Sequence, residues 1–205
     1  MNEEMSGFPL SGSNSQDCEI ICRKVISSPF AIIAPHGGGI EPGTSELAES
    51  IAHKGYHLYC FLGKRYANNQ DLHVKSTFFD EPEALELLAE VEVCLALHGC
   101  EGDEELIYIG GLNNKLILLT TCMLLQHGFQ VKDAPKALAA KSPKNICNRC
   151  LGKKGLQLEL SYGLRKSMFE NVDRRQGREK VTQVFYRFVE AVDKALRGYR
   201  QIFFN

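Results

Sequence analysis

Short apolar runs that stop at glycine, proline or histidine alternate along this chain with stretches of helical character, and that alternation narrows the fold to an open α/β sheet. Phe30-Ala-Ile-Ile-Ala-Pro35 reads as a continuous strand, halted by the proline and the run Gly37-Gly38-Gly39. Thr44-Ser45-Glu46 then offers a capping hydroxyl and an early acid for a helix that Gly55 terminates. Further strands are expected at Tyr56–Leu62, Val91–Leu97, Leu106–Ile109 and Leu156–Leu160. Further helices are expected from Pro82, over Asn114–His127 and over about Lys180–Arg197. Leu156-Gln157-Leu158-Glu159-Leu160 alternates strictly, which sets Gln157 and Glu159 on the face opposite the leucines. The expected architecture is a single-domain open mixed sheet with helices on both faces.

With 205 residues, 44% of them hydrophobic and 24% charged, the chain can bury one sizeable core. The expected division is a flexible N-terminal segment over residues 1–17 and a single α/β domain over 18–205. The formal net charge of −1 supplies no global field for nucleic acid or an anionic membrane, so neither is expected as a partner. No apolar run approaches the roughly 20 residues that span a bilayer. The polar, Gly/Ser-rich start lacks the basic and apolar regions of a signal peptide, so the expected location is the cytoplasm. In that compartment the eight cysteines are expected as free thiols. Cys60, Cys94 and Cys122 read as small core residues, while Cys18, Cys22, Cys147 and Cys150 have spacings that only loosely suit a four-thiolate zinc site.

Ligands of open α/β sheets gather beyond the carboxyl ends of strands, and His36 and His98 both stand at such ends. Glu41 follows His36 by five residues across a glycine run that lets the backbone turn back. Two histidines and a carboxylate are the donor set of a catalytic zinc site, which keeps one position open. Each piece has a plainer reading: a lone histidine at a strand end is often a hydrogen-bonded structural residue, and a glycine run before a helix can cradle phosphate. The phosphate reading lacks both glycine-rich consensus patterns, and Glu41 stands where a phosphate needs positive charge. Glu159 is the candidate for proton transfer, with pairing to Arg165 or exposure to solvent as its plainer reading. His53, His57 and His127 lie within helix or strand patterns and read as structural.

The segments Pro35-His36-Gly-Gly-Gly-Ile-Glu41-Pro-Gly-Thr44, His73-Val-Lys-Ser-Thr-Phe-Phe-Asp-Glu-Pro82, His98-Gly99, Gly110-Gly111, Asn145-Ile-Cys-Asn148-Arg149 and Gly155-Leu-Gln-Leu-Glu159-Leu-Ser161, in that order, resemble the poly-γ-glutamate hydrolase family. The family comprises small zinc enzymes of phage and Bacillus-type bacteria, and the likeness runs from about residue 30 to residue 165. It implies a zinc-carboxypeptidase-like core with one zinc per chain held by His36, Glu41 and His98. It further implies hydrolysis of γ-glutamyl amide bonds by a metal-activated water, with Glu159 as general base and acid. The implied substrate is an anionic polymer with a free carboxylate on every unit, which calls for planar or cationic donors. Arg149 in the Asn148-Arg149 pair is the first candidate, Arg165 the second and Lys75 the third, while His73 would orient substrate or a ligand. A zinc amidase or carboxypeptidase acting on γ-glutamyl cell-wall peptides, and a non-catalytic phage accessory binding protein, are the alternatives.

Overall fold

A computed structural model of the chain describes residues 16–204. The expected division near residue 17 therefore falls largely outside the described residues. Seven strands form one sheet: β1 (Cys18–Arg23), β2 (Phe30–Gly38), β3 (His57–Gly63), β4 (Val93–Cys100), β5 (Leu106–Gly111), β6 (Gln130–Asp133) and β7 (Leu156–Ser161). Their order is β1-β3-β2-β4-β7-β5-β6. The central strands β3, β2, β4 and β7 run parallel, β1 lies antiparallel on β3, and β5 lies antiparallel on β7, so the sheet is mixed.

The central strands are buried on both faces, which is why β2, β3 and β4 read as apolar runs, while β7 buries the polar Gln157 and Glu159 on one face. Along β2, Phe30, Ile32 and Ala34 enter one core layer while Ala31 and Ile33 enter the other; β3 divides in the same way between Leu58 and Cys60, and Tyr59 and Phe61. The first layer is closed by α1 (Thr44–Ala52), α3 (Asn114–Gln126), α4 (Tyr162–Met168) and the long α6 (Gln183–Phe203); α5 (Arg175–Arg178) is a single turn. The second layer is closed by α2 (Pro82–Leu88) and a 3-10 turn at Ile146–Asn148. Pro82 occupies the first turn of α2, with Glu81 accepting from the Ala84 amide as its cap. Among the described residues no helix is long and apolar enough to cross a membrane.

Two details depart from the sequence expectations. The helix after the glycine run is capped by the left-handed backbone of Gly43, not by a side chain, and Thr44 Oγ1 instead donates to the Glu41 carbonyl at 2.8 Å. Cys122 is exposed, because the buried side of α3 is carried by Leu116, Thr120 and Leu124 and residue 122 points out on the opposite side of the helix. Cys18, Cys147 and Cys150 are buried in the apolar layer beneath α2, and among the described residues no group of cysteines meets the geometry of a metal site. All eight cysteines are free thiols.

The topology leaves one opening. From β2 the chain passes through α1 to β3 on one side, and from β3 it returns through α2 to β4 on the other side of β2. The crossover helices lie on opposite faces, so the carboxyl ends of β2 and β4 flank a switch point, where open sheets leave a crevice. The β2–β4 ladder stops at Ile33–Ala96, and β2 then shifts register towards β3, pairing Gly37 with Leu62. His36 and His98 lie beyond that last pair, on strands that have parted.

Candidate metal centre

His36 and Glu41 meet because the chain between them folds back: the Glu41 amide donates to the His36 carbonyl at 2.8 Å and the Ile40 amide to the Gly37 carbonyl at 3.3 Å. Gly38, at φ +66°, has no room for a side chain, since a Cβ there would stand 2.5 Å from the Gly63 carbonyl oxygen. The Gly99 amide donates to Glu41 Oε2 at 2.9 Å and fixes the second carboxylate oxygen beside β4. His98 faces the same point from β4, where its cross-strand partner on β7 is Glu159.

Three donor atoms converge. His36 Nδ1 lies 3.1 Å from Glu41 Oε1 and 3.1 Å from His98 Nδ1, and His98 Nδ1 lies 3.4 Å from Glu41 Oε2. Ligands at zinc bond lengths of about 2.0–2.1 Å stand about 3.3 Å apart on a tetrahedron, so the spacing suits one divalent ion. The protonation pattern points the same way. His36 Nε2 donates to the Val74 carbonyl at 2.7 Å, because a carbonyl can only accept. Burial drives the His36 pKa below its ordinary value despite the nearby Glu41, and a neutral ring with its proton on Nε2 turns the Nδ1 lone pair towards the carboxylate. Two acceptors in contact within a dry site repel unless a cation lies between them. The donor set therefore fits a metal ion, and the backbone contact at Nε2 is the kind that orients a histidine ligand.

The carboxylate is held in its charged form. Burial pushes the Glu41 carboxyl up, but the neighbouring His36 and His98, together with His73, outweigh it and hold it well below the usual range. For His98, burial lowers the pKa while Glu41 and Glu159 raise it further, leaving it above the ordinary value. His73 stacks on His36 with ring centres 3.9 Å apart, and its Nε2 approaches Glu41 Oε1 at 3.5 Å. It is a half-exposed wall of the centre.

Glu159 is 5% exposed, and burial raises its pKa to about 7, with His98 and the Gln157 hydrogen bond pulling the other way. Its Oε1 accepts from Gln157 Nε2 at 2.8 Å, and Gln157 Oε1 accepts from Asn145 Nδ2 at 3.1 Å. This amide chain orients the carboxylate into a cavity of about 890 Å³ whose wall includes His36, Glu41, His73, Lys75, His98 and Glu159. Gln157 and Asn145 were given no role from the sequence. The same alternation that placed Glu159 on the polar face also placed Gln157 there, which was the available signal.

Three residues expected to bind substrate either have their donors committed to the fold or lie outside this cavity. Arg165 lines the cavity, but its Nε, Nη1 and Nη2 donate to the carbonyls of Leu160, Pro42 and Cys100 at 3.1, 2.8 and 3.1 Å. The guanidinium is a clamp that ties the ends of β7 and β4 to the Glu41 loop, and it packs so closely on Gly99 that a Cβ there would lie 2.8 Å from its Cζ. Asn148 is buried, with its amide nitrogen donating to the Ala140 and Ser142 carbonyls and its oxygen accepting from Gly155. Arg149 leaves the 3-10 turn on the far side, donates to the Phe79 carbonyl and lines a separate groove. Of the expected cations, Lys75 alone stands in the cavity wall with an uncommitted head group. Replacing Arg165 by methionine strips one buried and two partly buried carbonyls of their donor and is expected to cost about 2–3 kcal/mol of stability by urea unfolding, at about 1 kcal/mol per orphaned group.

Comparisons with known proteins bear on the family and the fold. The family model for poly-gamma-glutamate hydrolase matches residues 5–191. The UPF0714 protein YndL of Bacillus subtilis (strain 168) is 36% identical over 183 residues, covering 87% of this chain and 71% of its own length. The SPbeta prophage-derived UPF0714 protein YoqZ of the same strain is 35% identical over 165 residues, which are 80% of this chain and 60% of YoqZ. Among solved structures, a bacteriophage poly-gamma-glutamate hydrolase superposes with a TM-score of 0.88 at 33% identity, covering 93% of each chain. A zinc-free form of YndL superposes with a TM-score of 0.85 at 33% identity over 91% of this chain and 93% of that one. The chain belongs to the poly-gamma-glutamate hydrolase family.

Proposed function

We propose that this chain hydrolyses the γ-glutamyl amide bonds of poly-γ-glutamate with one zinc ion held by His36, Glu41 and His98. The observation that carries the reading is the contact of the His36 Nδ1 lone pair with the Glu41 carboxylate and His98 Nδ1, at 3.1 Å each from His36. A zinc ion there supplies a Lewis acid for the amide oxygen and for water. The family membership supports the bond cleaved, and the existence of a zinc-free form of YndL supports the metal.

The protein's own residues supply the remaining parts. Glu159 takes a proton from the attacking water as the oxygen–carbon bond forms, then delivers it to the amine nitrogen as the carbon–nitrogen bond breaks. The raised pKa of its buried carboxyl suits both halves of that transfer. Gln157, itself held by Asn145, keeps the carboxylate aimed into the cavity. The Val74 carbonyl fixes the His36 tautomer. Lys75 and His73 in the cavity wall take the free carboxylates of the substrate, the task that Arg165 and Asn148 are too committed to perform.

The test is depolymerisation of purified poly-γ-glutamate, followed by loss of polymer size before and after chelation. Activity is expected to vanish on chelation and to return with one equivalent of zinc per chain. Muropeptides offered in parallel are expected to be poor substrates. Preferential release of muropeptide fragments would replace the polymer by a cell-wall substrate, and undiminished activity in the chelated protein would overturn the metal reading.

A further inference from the structure

Between Asp133 and Glu159 the chain carries six cations, Lys136, Lys141, Lys144, Arg149, Lys153 and Lys154, and no acidic side chain. In a protein of net charge −1, the rest of the molecule therefore carries a surplus of acids. This connection between β6 and β7 borders two cavities. Lys136, Lys141 and Ser142 line the cavity of the candidate metal centre. Lys144, Arg149 and Lys153 line a second one of about 590 Å³, which has no acidic residue in its wall. Thr77 lines both, so the two adjoin there.

The three cations of the second cavity are not consumed by the fold. Among the described residues none of them forms an ion pair, the two lysines are exposed, and Arg149 commits only Nη1, to the Phe79 carbonyl. A third cavity, beyond Gly38 and Gly39, also holds arginines, but Glu19, Glu46, Glu49 and Asp173 share its wall and offset them. Uncompensated positive charge thus leaves the metal centre in one direction, along the β6–β7 connection.

We propose that this acid-free connection is a carboxylate track, holding units of an anionic polymer beyond the one whose bond is cleaved. The proposal rests on the hydrolase reading for the position of the cleaved bond. A chain with one carboxylate per unit matches a row of separate cations. Nucleic acid fits less well, because the wall of the second cavity has no aromatic side chain on which a base could stack.

The test uses the full-length, zinc-loaded protein and the variant K144Q/R149Q/K153Q, with K24Q/K180Q/K194Q as a control that removes the same charge elsewhere. The ratio of kcat/KM for long poly-γ-glutamate to that for a short γ-glutamyl oligomer is expected to fall about tenfold in the first variant, since each exposed charge pair contributes up to about fivefold in affinity. The fall should act through KM, shrink at high salt and be absent from the control. In parallel, labelled poly-γ-glutamate and a single-stranded oligonucleotide of equal charge are titrated into the same proteins in a Glu159→Gln background. Polymer affinity is expected to drop about tenfold with the track substitutions, as above. An unchanged length ratio together with unchanged polymer affinity would overturn the track while leaving the hydrolase reading intact. Preference for the oligonucleotide would overturn it in favour of a nucleic-acid surface. Should no substrate be cleaved at all, the hydrolase reading fails and the binding titration alone decides the track.

Discussion

Alanine at His36 or at His98 is expected to empty the metal centre and abolish hydrolysis. Each substitution removes one of three donor atoms that lie within 4.8 Å of one another, and no other described histidine, cysteine or acidic residue completes a group of three. Lewis-acid activation is worth several kcal/mol of barrier, so kcat/KM should fall by on the order of 10³-fold or more. Metal analysis is expected to read one zinc per chain in the parent protein and close to none in either variant. Heat provides a second readout. Zinc at about a hundred times its dissociation constant stabilises the folded state by about 2.7 kcal/mol, which corresponds to a rise of roughly 5–10 °C in Tm for a domain of this size. That rise should disappear in both variants. A His36→Ala protein that hydrolyses the polymer at the parent rate while holding no metal would remove the centre from the mechanism.

Much of this centre was legible because strand ends announce themselves. Pro35 and Gly37 to Gly39 after one apolar run, and Gly99 after another, mark where strands stop and where side chains gain room. Strands β2, β3 and β4 were legible as apolar runs, being buried on both faces, and β7 by its strict alternation. The edge strands were not. In β1, Cys18-Glu19-Ile20-Ile21-Cys22-Arg23 is mostly half-buried, and the four residues of β6 are mostly exposed, so neither carries the apolar run that a buried strand must show. Helix α4 was missed because it is a seven-residue segment directly after β7, too short for a hydrophobic period.

Direction, more than position, escaped the sequence. Arg149 adjoins Asn148 in a segment that borders the cavity, yet the 3-10 turn over Ile146–Asn148 sends it to the next groove. Arg165 lies near the centre, but the three carbonyls that absorb its donors come from Leu160, Pro42 and Cys100, remote in sequence from one another, and no local pattern encodes that convergence. Cys122 looked internal because α3 is apolar nearly all round, with Leu118 and Leu125 also exposed. A helix without a polar face does not say which side is inward. The hydrogen-bond chain Asn145–Gln157–Glu159 is likewise built from neutral amides, which form no motif of their own.

Glutamine at residue 159 is expected to separate proton transfer from metal binding. Glu159 is not among the three converging donors, so the variant should hold zinc at the parent stoichiometry. Glutamine is close in shape to glutamate, and its side-chain oxygen can still accept from Gln157, so the fold and the cavity wall should persist. What it cannot do is accept a proton from water and return it to the leaving nitrogen. General acid–base catalysis contributes about 10²- to 10⁴-fold, so kcat should fall by roughly 10³-fold. Because that contribution arises in the transition state, KM should stay close to the parent value. Rate measurements alone would not isolate the carboxylate, since a displaced metal also destroys activity. Metal content and kcat must therefore be read on the same preparation. Zinc retained with kcat within about tenfold of the parent, below the lower bound for such a base, would assign the proton to another group. Zinc lost together with activity would place Glu159 among the groups that hold the ion.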